Sequence, residues 1–203
     1  MTQSKRLLLV LVINAVMILG LIVVGLSSHS LGVLAAGGDY AADSVAIVLG
    51  LIAIRLRDSS HAKARKSMAT TYVAAINALF LLIVSGFVLV ESMHRLTTGT
   101  PNVLGLQAMI VSIAATIAMV IGAMIIAGDT ADEDLHMRSV LLDTVADGAS
   151  AAAVAVAGGI IYFTHSLYWL DSAAALVISG LIGFAAIKLL IDVLKALRTS
   201  KSL

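Results

Sequence analysis

Hydrophobic residues in this chain run in long stretches, and short polar segments cut them into six. Residues 7–26 form an apolar run about long enough to cross a bilayer as one helix. Residues 31–56, 68–94, 103–127, 135–164 and 172–197 follow as comparable stretches. The breaks are Ser27-Ser28-His29-Ser30, a basic loop from Arg57 to Lys66, the turn from Thr97 to Asn102, an acidic loop from Asp129 to Asp134, and a turn from His165 to Asp171. The last holds Tyr168 and Trp169, aromatic residues that suit a membrane–water interface. The first stretch is longer than the apolar core of a signal peptide, and Ser27-Ser28-His29-Ser30 is a poor cleavage site. The pattern therefore predicts an all-α membrane protein with six transmembrane helices.

Composition agrees with that pattern. Of 203 residues 60% are hydrophobic and only 12% charged, more apolar surface than a soluble core absorbs. Six spans use up nearly all the sequence, so residues 1–203 read as a single transmembrane domain with no soluble C-terminal domain. The net charge of +1 gives no reason to expect a nucleic-acid partner. The absence of cysteine excludes disulfides and thiolate metal sites. With both termini cytoplasmic, Arg95 is the one residue among the 13 Lys and Arg that falls outside. The positive-inside rule thus places both termini in the cytoplasm, and acidic residues 129–134 weigh little against it.

Two Asp-x-x-x-Asp patterns stand inside this apolar sequence: Asp39 with Asp43, and Asp143 with Asp147. Residues four apart share a helix face, so each pair is two carboxylates projecting in one direction. An isolated ionised carboxylate in lipid costs at least ~2.5 kcal/mol, so four of them have to face each other, a cavity or a cation. Structural polar packing between helices is the plain alternative. A divalent cation site is the reading that uses all four, with the pairs meeting between antiparallel helices. By residue count Asp43 lies near mid-span and the second pair nearer the cytoplasm. Carboxylate oxygens suit Mg, Ca and Mn, and Zn accepts them as well.

Weaker candidates surround this pattern. Asp58 and His61 have a spacing that a peripheral metal could use, although a solvated loop is the commoner meaning. His29 and His165 lie near the outer surface, and Asp132-Glu133-Asp134 lies near the inner one. Asn14, Asn77, Gln107, Ser112 and Thr116 read as hydrogen-bond partners between helices.

Several segments, taken in order, resemble the transmembrane part of the cation diffusion facilitator family. They are Leu31 to Asp43, Glu91-Ser92-Met93-His94-Arg95-Leu96 followed by Pro101, Asp134 to Asp143 completed by Asp147, and Trp169-Leu170-Asp171. The resemblance covers essentially the whole chain. It implies export of divalent transition metals from the cytosol by proton antiport, with the metal as cargo and no cofactor. It also implies a homodimer in the cell's inner membrane, and no enzyme activity. Asp39 and Asp143 stand where zinc members usually carry a His at one or both positions. The all-aspartate pattern resembles the family's manganese branch instead. A short acidic loop replaces the family's His-rich one, and the family's cytoplasmic C-terminal domain has no counterpart here. Two other functions fit the same residues: a non-transporting membrane partner of a longer relative, and a passive cation channel. Channels usually line a continuous pore with charge or carbonyls, and two helix-borne pairs suit an occluding site better.

Overall fold

The computed structural model describes residues 3–56, 63–127 and 135–201, and six α-helices account for nearly all of them. They are α1 (Gln3–Ser27), α2 (Leu31–Leu56), α3 (Lys63–Thr98), α4 (Gly105–Ala127), α5 (Leu135–Thr164) and α6 (Trp169–Lys201). No strand occurs among the described residues. The apolar stretches locate α2 and α5 to the residue. They underestimate α3, which starts at Lys63 and not at residue 68, and α6, which starts at Trp169 and not at residue 172. Hydropathy marks where a helix enters lipid, whereas Ala, Lys and Arg continue a helix into water without an apolar face. Asp58, His61 and Asp132-Glu133-Asp134 lie outside the described residues.

Segments of α1, α3, α4, α5 and α6 are each long and apolar enough to cross a membrane. Large side chains on their outward faces, among them Leu19, Phe87, Val90, Phe163 and Phe184, are well exposed. In water such surfaces would be untenable; in a bilayer they are the lipid contact. The chain is a multi-pass integral membrane protein. Helix α2, which carries Asp39 and Asp43, occupies the middle and packs against all five others. The main core gathers Leu21, Val33, Tyr40, Val88, Ala115 and Val154, residues from α1 to α5, around it.

The most extensive packing is between α4 and α5, then between α3 and α6. Where α4 and α5 cross, glycine sets the distance. A Cβ on Gly105 would stand 2.6 Å from the Gly158 carbonyl, and one on Gly158 would stand 2.8 Å from Met109 N. Both obstacles are backbone, which cannot swing aside. Small residues of this kind let membrane helices approach closely when lipid offers no hydrophobic drive to associate.

One end of the bundle is knitted together around the turn between α1 and α2. Leu104 N, just before α4, donates to Ser28 O at 3.0 Å, and Arg95 Nη1 of α3 donates to His29 O at 2.7 Å. His29 takes a left-handed conformation (φ 57°), as do His165 (φ 48°) and Leu167 (φ 60°) between α5 and α6. Basic residues cluster toward the other end of the sequence's helices, so this knitted end is the outer one under the positive-inside rule.

Replacing Gly158 with Val should drive a branched side chain into the α4 backbone and cost roughly 1–3 kcal/mol, the usual scale of overpacking. The check is the melting temperature of the detergent-solubilised protein. Gly20→Ala, where nothing lies within 4 Å of the new Cβ, should leave that temperature nearly unchanged.

Candidate metal site

The two aspartate pairs stand on helices that touch. Asp39 and Asp43 are on α2, Asp143 and Asp147 are on α5, and α2 and α5 are in contact. Residue counts from the helix ends put the α5 pair deeper than the α2 pair, but the ends are not level. Gly158 crosses Gly105 at the start of α4, and neighbouring Leu104 is bonded to Ser28 O. The last turn of α5 therefore rises beyond the start of α2. Measured from these crossings at 1.5 Å per residue, Asp147 lies ~16 Å down α5, while Asp39 and Asp43 lie ~12 and ~18 Å down α2. Asp147 is thus brought to the level of the first pair. Asp143 shares the Asp147 face by its spacing one turn deeper, and its side chain is outside the described ones.

Tyr40 joins these levels. It follows Asp39 on α2, is 1% exposed, and its hydroxyl donates to the Ala115 carbonyl of α4 at 2.6 Å. The charges of Asp147, Asp43 and Asp39 all reach its phenol. Asp39, Asp43 and Asp147 are themselves half-buried, and each takes part in further polar interactions. One turn on, Ser44 Oγ donates to Tyr40 O at 2.9 Å, so that hydroxyl is satisfied by its own helix. Tyr40 was not singled out by the sequence. The signal available was its position beside Asp39, an aromatic hydroxyl inside a span.

Among the described residues, no three His, Asp or Glu side chains are gathered closely enough to hold a metal ion. The described carboxylates form a partial set: a pair from α2 and one from α5, all with oxygen donors. Such donors hold hard or borderline divalent cations. The outer-surface histidines are not drawn into this set. His29 and His165 are exposed and occupy the left-handed turn positions already described.

The other polar residues in the spans behave differently from the expectation of bonds between helices. Thr116 Oγ1 donates to Ser112 O in its own helix at 2.8 Å, and Gln107 is exposed. Asn77 Oδ1 and Ser112 Oγ are buried with no protein hydrogen-bond partner. Within a helix, the nearest acceptor for a hydroxyl is the carbonyl three or four residues back, which competes with any neighbour.

Besides Tyr40, a described polar residue that does bond across helices is Asp171, at the start of α6. Its carboxylate accepts from Leu31 N at 2.7 Å and from Gly32 N at 3.3 Å. Sequence reading placed it only as part of the α6 start. A carboxylate in the first turn of a helix usually serves that helix's own amides, and nothing in the sequence signals that this one serves α2.

Residues 7–198 match the cation efflux transmembrane domain family. A zinc transporter, ZitB, of Pectobacterium atrosepticum is 28% identical over 167 residues, covering 80% of this chain and 52% of that protein. A cadmium, cobalt and zinc/H(+)-K(+) antiporter of Bacillus velezensis is 29% identical over 185 residues, covering 85% and 57%. The zinc transporter ZitB of Yersinia pestis is 26% identical over 193 residues, covering 93% and 61%. The chain thus spans between half and two thirds of the length of these relatives.

Replacing Tyr40 with Phe keeps the ring and removes the donor to Ala115. The expected loss is about 1 kcal/mol of stability, the net worth of one hydrogen bond. Tyr40→Ala opens a cavity as well and should cost ~3–5 kcal/mol. Thermal unfolding in detergent would rank the two. Equal losses would mean that the hydroxyl, not the ring, carries the contact between α2 and α4.

Proposed function

The chain belongs to the cation efflux family, and from that premise we propose that it exports a divalent transition metal through Asp39, Asp43, Asp143 and Asp147 by proton antiport. The observation that supports this reading is the contact between α2, with Asp39 and Asp43, and α5, with Asp147 at about their depth, all three half-buried. Asp143, on the face of Asp147, is the fourth ligand of the proposed site. The protein is a transporter, not an enzyme, and the metal is its cargo. The proposed setting is the inner membrane, with both termini cytoplasmic, residues 1–203 acting as one six-helix unit and two copies assembling as a homodimer.

The coupling follows from electrostatics. Four carboxylates drawn around one ion-sized site could not all stay ionised without a counter-charge, and their protons would titrate as one set. A divalent cation supplies two positive charges and needs deprotonated ligands, so its arrival expels protons. Once the metal has left to the outside, protons reload the empty cluster before it turns inward again. Metal moves out and protons move in through the same four side chains, with no separate proton path.

The same chemistry bears on selectivity. Imidazole adds affinity for zinc, whereas an all-oxygen site favours a harder ion such as Mn. The proposed cargo is therefore Mn or, because Zn also accepts carboxylates, a cation of the Zn, Fe, Co and Cd group.

Two measurements test this. In proteoliposomes carrying a pH-sensitive dye, an imposed metal gradient should drive opposite proton flux. Alanine at any of the four aspartates should abolish it without preventing insertion. Metal flux that moves no protons and ignores an imposed pH gradient would instead indicate a passive channel. An inserted chain that moves no metal alone would indicate a partner subunit. In competition assays, Asp143→His should raise transport of Zn relative to Mn by roughly tenfold, the worth of ~1.4 kcal/mol of ligand preference. No gain for Zn would show that the ligands themselves do not set selectivity.

A further inference from the structure

Asn77 of α3 is a polar side chain within a membrane span that the proposed transport step does not use. It is 8% exposed, and its Oδ1 is buried with no hydrogen-bond partner among the described residues. A buried acceptor without a donor is costly, and lipid supplies none. Two hydroxyls further out on α3 and α6 are not in that condition. Ser85 Oγ donates to Leu82 O at 3.4 Å, and Ser179 Oγ donates to Ala175 O at 2.6 Å. Asn77 thus holds an oxygen that the helices themselves leave open.

Two contacts place that oxygen against α2. A Cβ on Gly38 would stand 2.8 Å from Val84 Cγ1, and Ala42 clusters with Leu81 of α3 and Ala186 of α6. Helices α2 and α3 therefore run antiparallel. Asn77 comes four residues before Leu81, on the same face of α3 and one turn nearer the cytoplasm. It meets α2 about four residues past Ala42, ~4–5 Å below Asp43. On the count already used for the pairs this is ~22 Å, the level of Asp143. Ala42 and Asp43 are consecutive and point about 100° apart around α2. Asn77 accordingly stands beside and below the carboxylates, on their cytoplasmic side, rather than among them.

We propose that Asn77 Oδ1 joins Asp43 in coordinating the cation while the site is open to the cytoplasm, and releases it as the ion settles among the four aspartates. The proposal rests on the transport reading of the aspartate pairs. An amide oxygen is a hard, neutral ligand, as side-chain and backbone carbonyls are in calcium sites. It can replace one water of the entering ion without adding charge that would hold the ion back. A fifth carboxylate at this place would bind more tightly and would need its own proton whenever the site is empty.

The deciding comparison sets Asn77→Leu, which keeps the branched shape and loses the oxygen, against Asn77→Asp, which keeps the oxygen. Both are made in the full chain and assayed for Mn2+ exchange in proteoliposomes, with the metal offered at either face. Asn77→Leu should raise the half-saturating Mn2+ concentration roughly tenfold at the cytoplasmic face and leave it unchanged at the outer face. Asn77→Asp should return the cytoplasmic value to that of wild type or below it. Equal shifts at the two faces would make Asn77 a packing residue and overturn the proposal. So would an unchanged cytoplasmic value, the mark of an oxygen that holds only water. Should Asn77→Leu fail to accumulate, Asn77→Ala removes the same oxygen and carries the comparison. Mn2+ binding to the chain in nanodiscs gives a readout that needs no transport. A wild-type chain that binds Mn2+ and moves none defeats the antiport reading. Weaker binding by Asn77→Leu, restored in Asn77→Asp, would still support the ligand, and equal binding by all three would overturn it.

Discussion

Placing carboxylates in hydrocarbon is the constraint on which the rest of this structure depends. An ionised side chain facing lipid costs more than packing normally returns, so a helix with aspartates in mid-span cannot sit at the edge of the bundle. That demand accounts for α2 being the helix that touches every other one. The helices around it turn large apolar side chains outward, and α5 sets its own pair, Asp143 and Asp147, on a helix in contact with α2. Their backbone groups are satisfied within each helix, which is the only open-ended arrangement that lipid permits. The central place of α2 keeps Asp39 and Asp43 away from lipid, and α5 lies against it with Asp143 and Asp147.

Depth is fixed by a different set of contacts. Apolar helices slide past one another at little cost, because lipid tails and leucines are alike. Register in such a bundle has to come from points that cannot slide. The crossing of Gly105 with Gly158 is one, since each backbone blocks any side chain on the other. The bond from Leu104 N to Ser28 O is a second, and the bond from Tyr40 to Ala115 is a third, at mid-depth. These three contacts tie α5 to α4 and α4 to α2. The level of Asp147 relative to Asp39 and Asp43 follows from that chain of contacts, not from any direct bond between the pairs.

This division also explains what was legible in the sequence. Lipid imposes a length and a composition, so the six helices could be read from apolar runs, and the four-residue spacing of each pair gave its face. Helix ends in water were less legible, as at Lys63 and Trp169, because propensity continues a helix where hydropathy stops. How the ends of α2 and α5 sit relative to each other was not legible, because it depends on contacts that both make through α4. Asp171 was visible as a residue and invisible as a cap for α2, because its partners are some 140 positions away. Contacts of that kind carry no local period, and a single sequence offers no means to see them. The same holds for Tyr40, whose acceptor is a backbone carbonyl that any residue on α4 could have supplied.

The strength of these ties is graded, and the gradation bears on how a buried site reaches either face of the membrane. Where two backbones meet at Gly105 and Gly158, separation opens a void and sliding produces a clash, so α4 and α5 behave as one unit. Where α2 meets α4, the link is one side-chain hydrogen bond, worth about 1 kcal/mol net and replaceable by water. Direct packing of α2 on α5, and of α1 on both α2 and α4, adds to that bond, so the carboxylates of the two helices are held at their depth by several contacts of unequal strength. Where such a bundle opens, it opens first at the weakest of them.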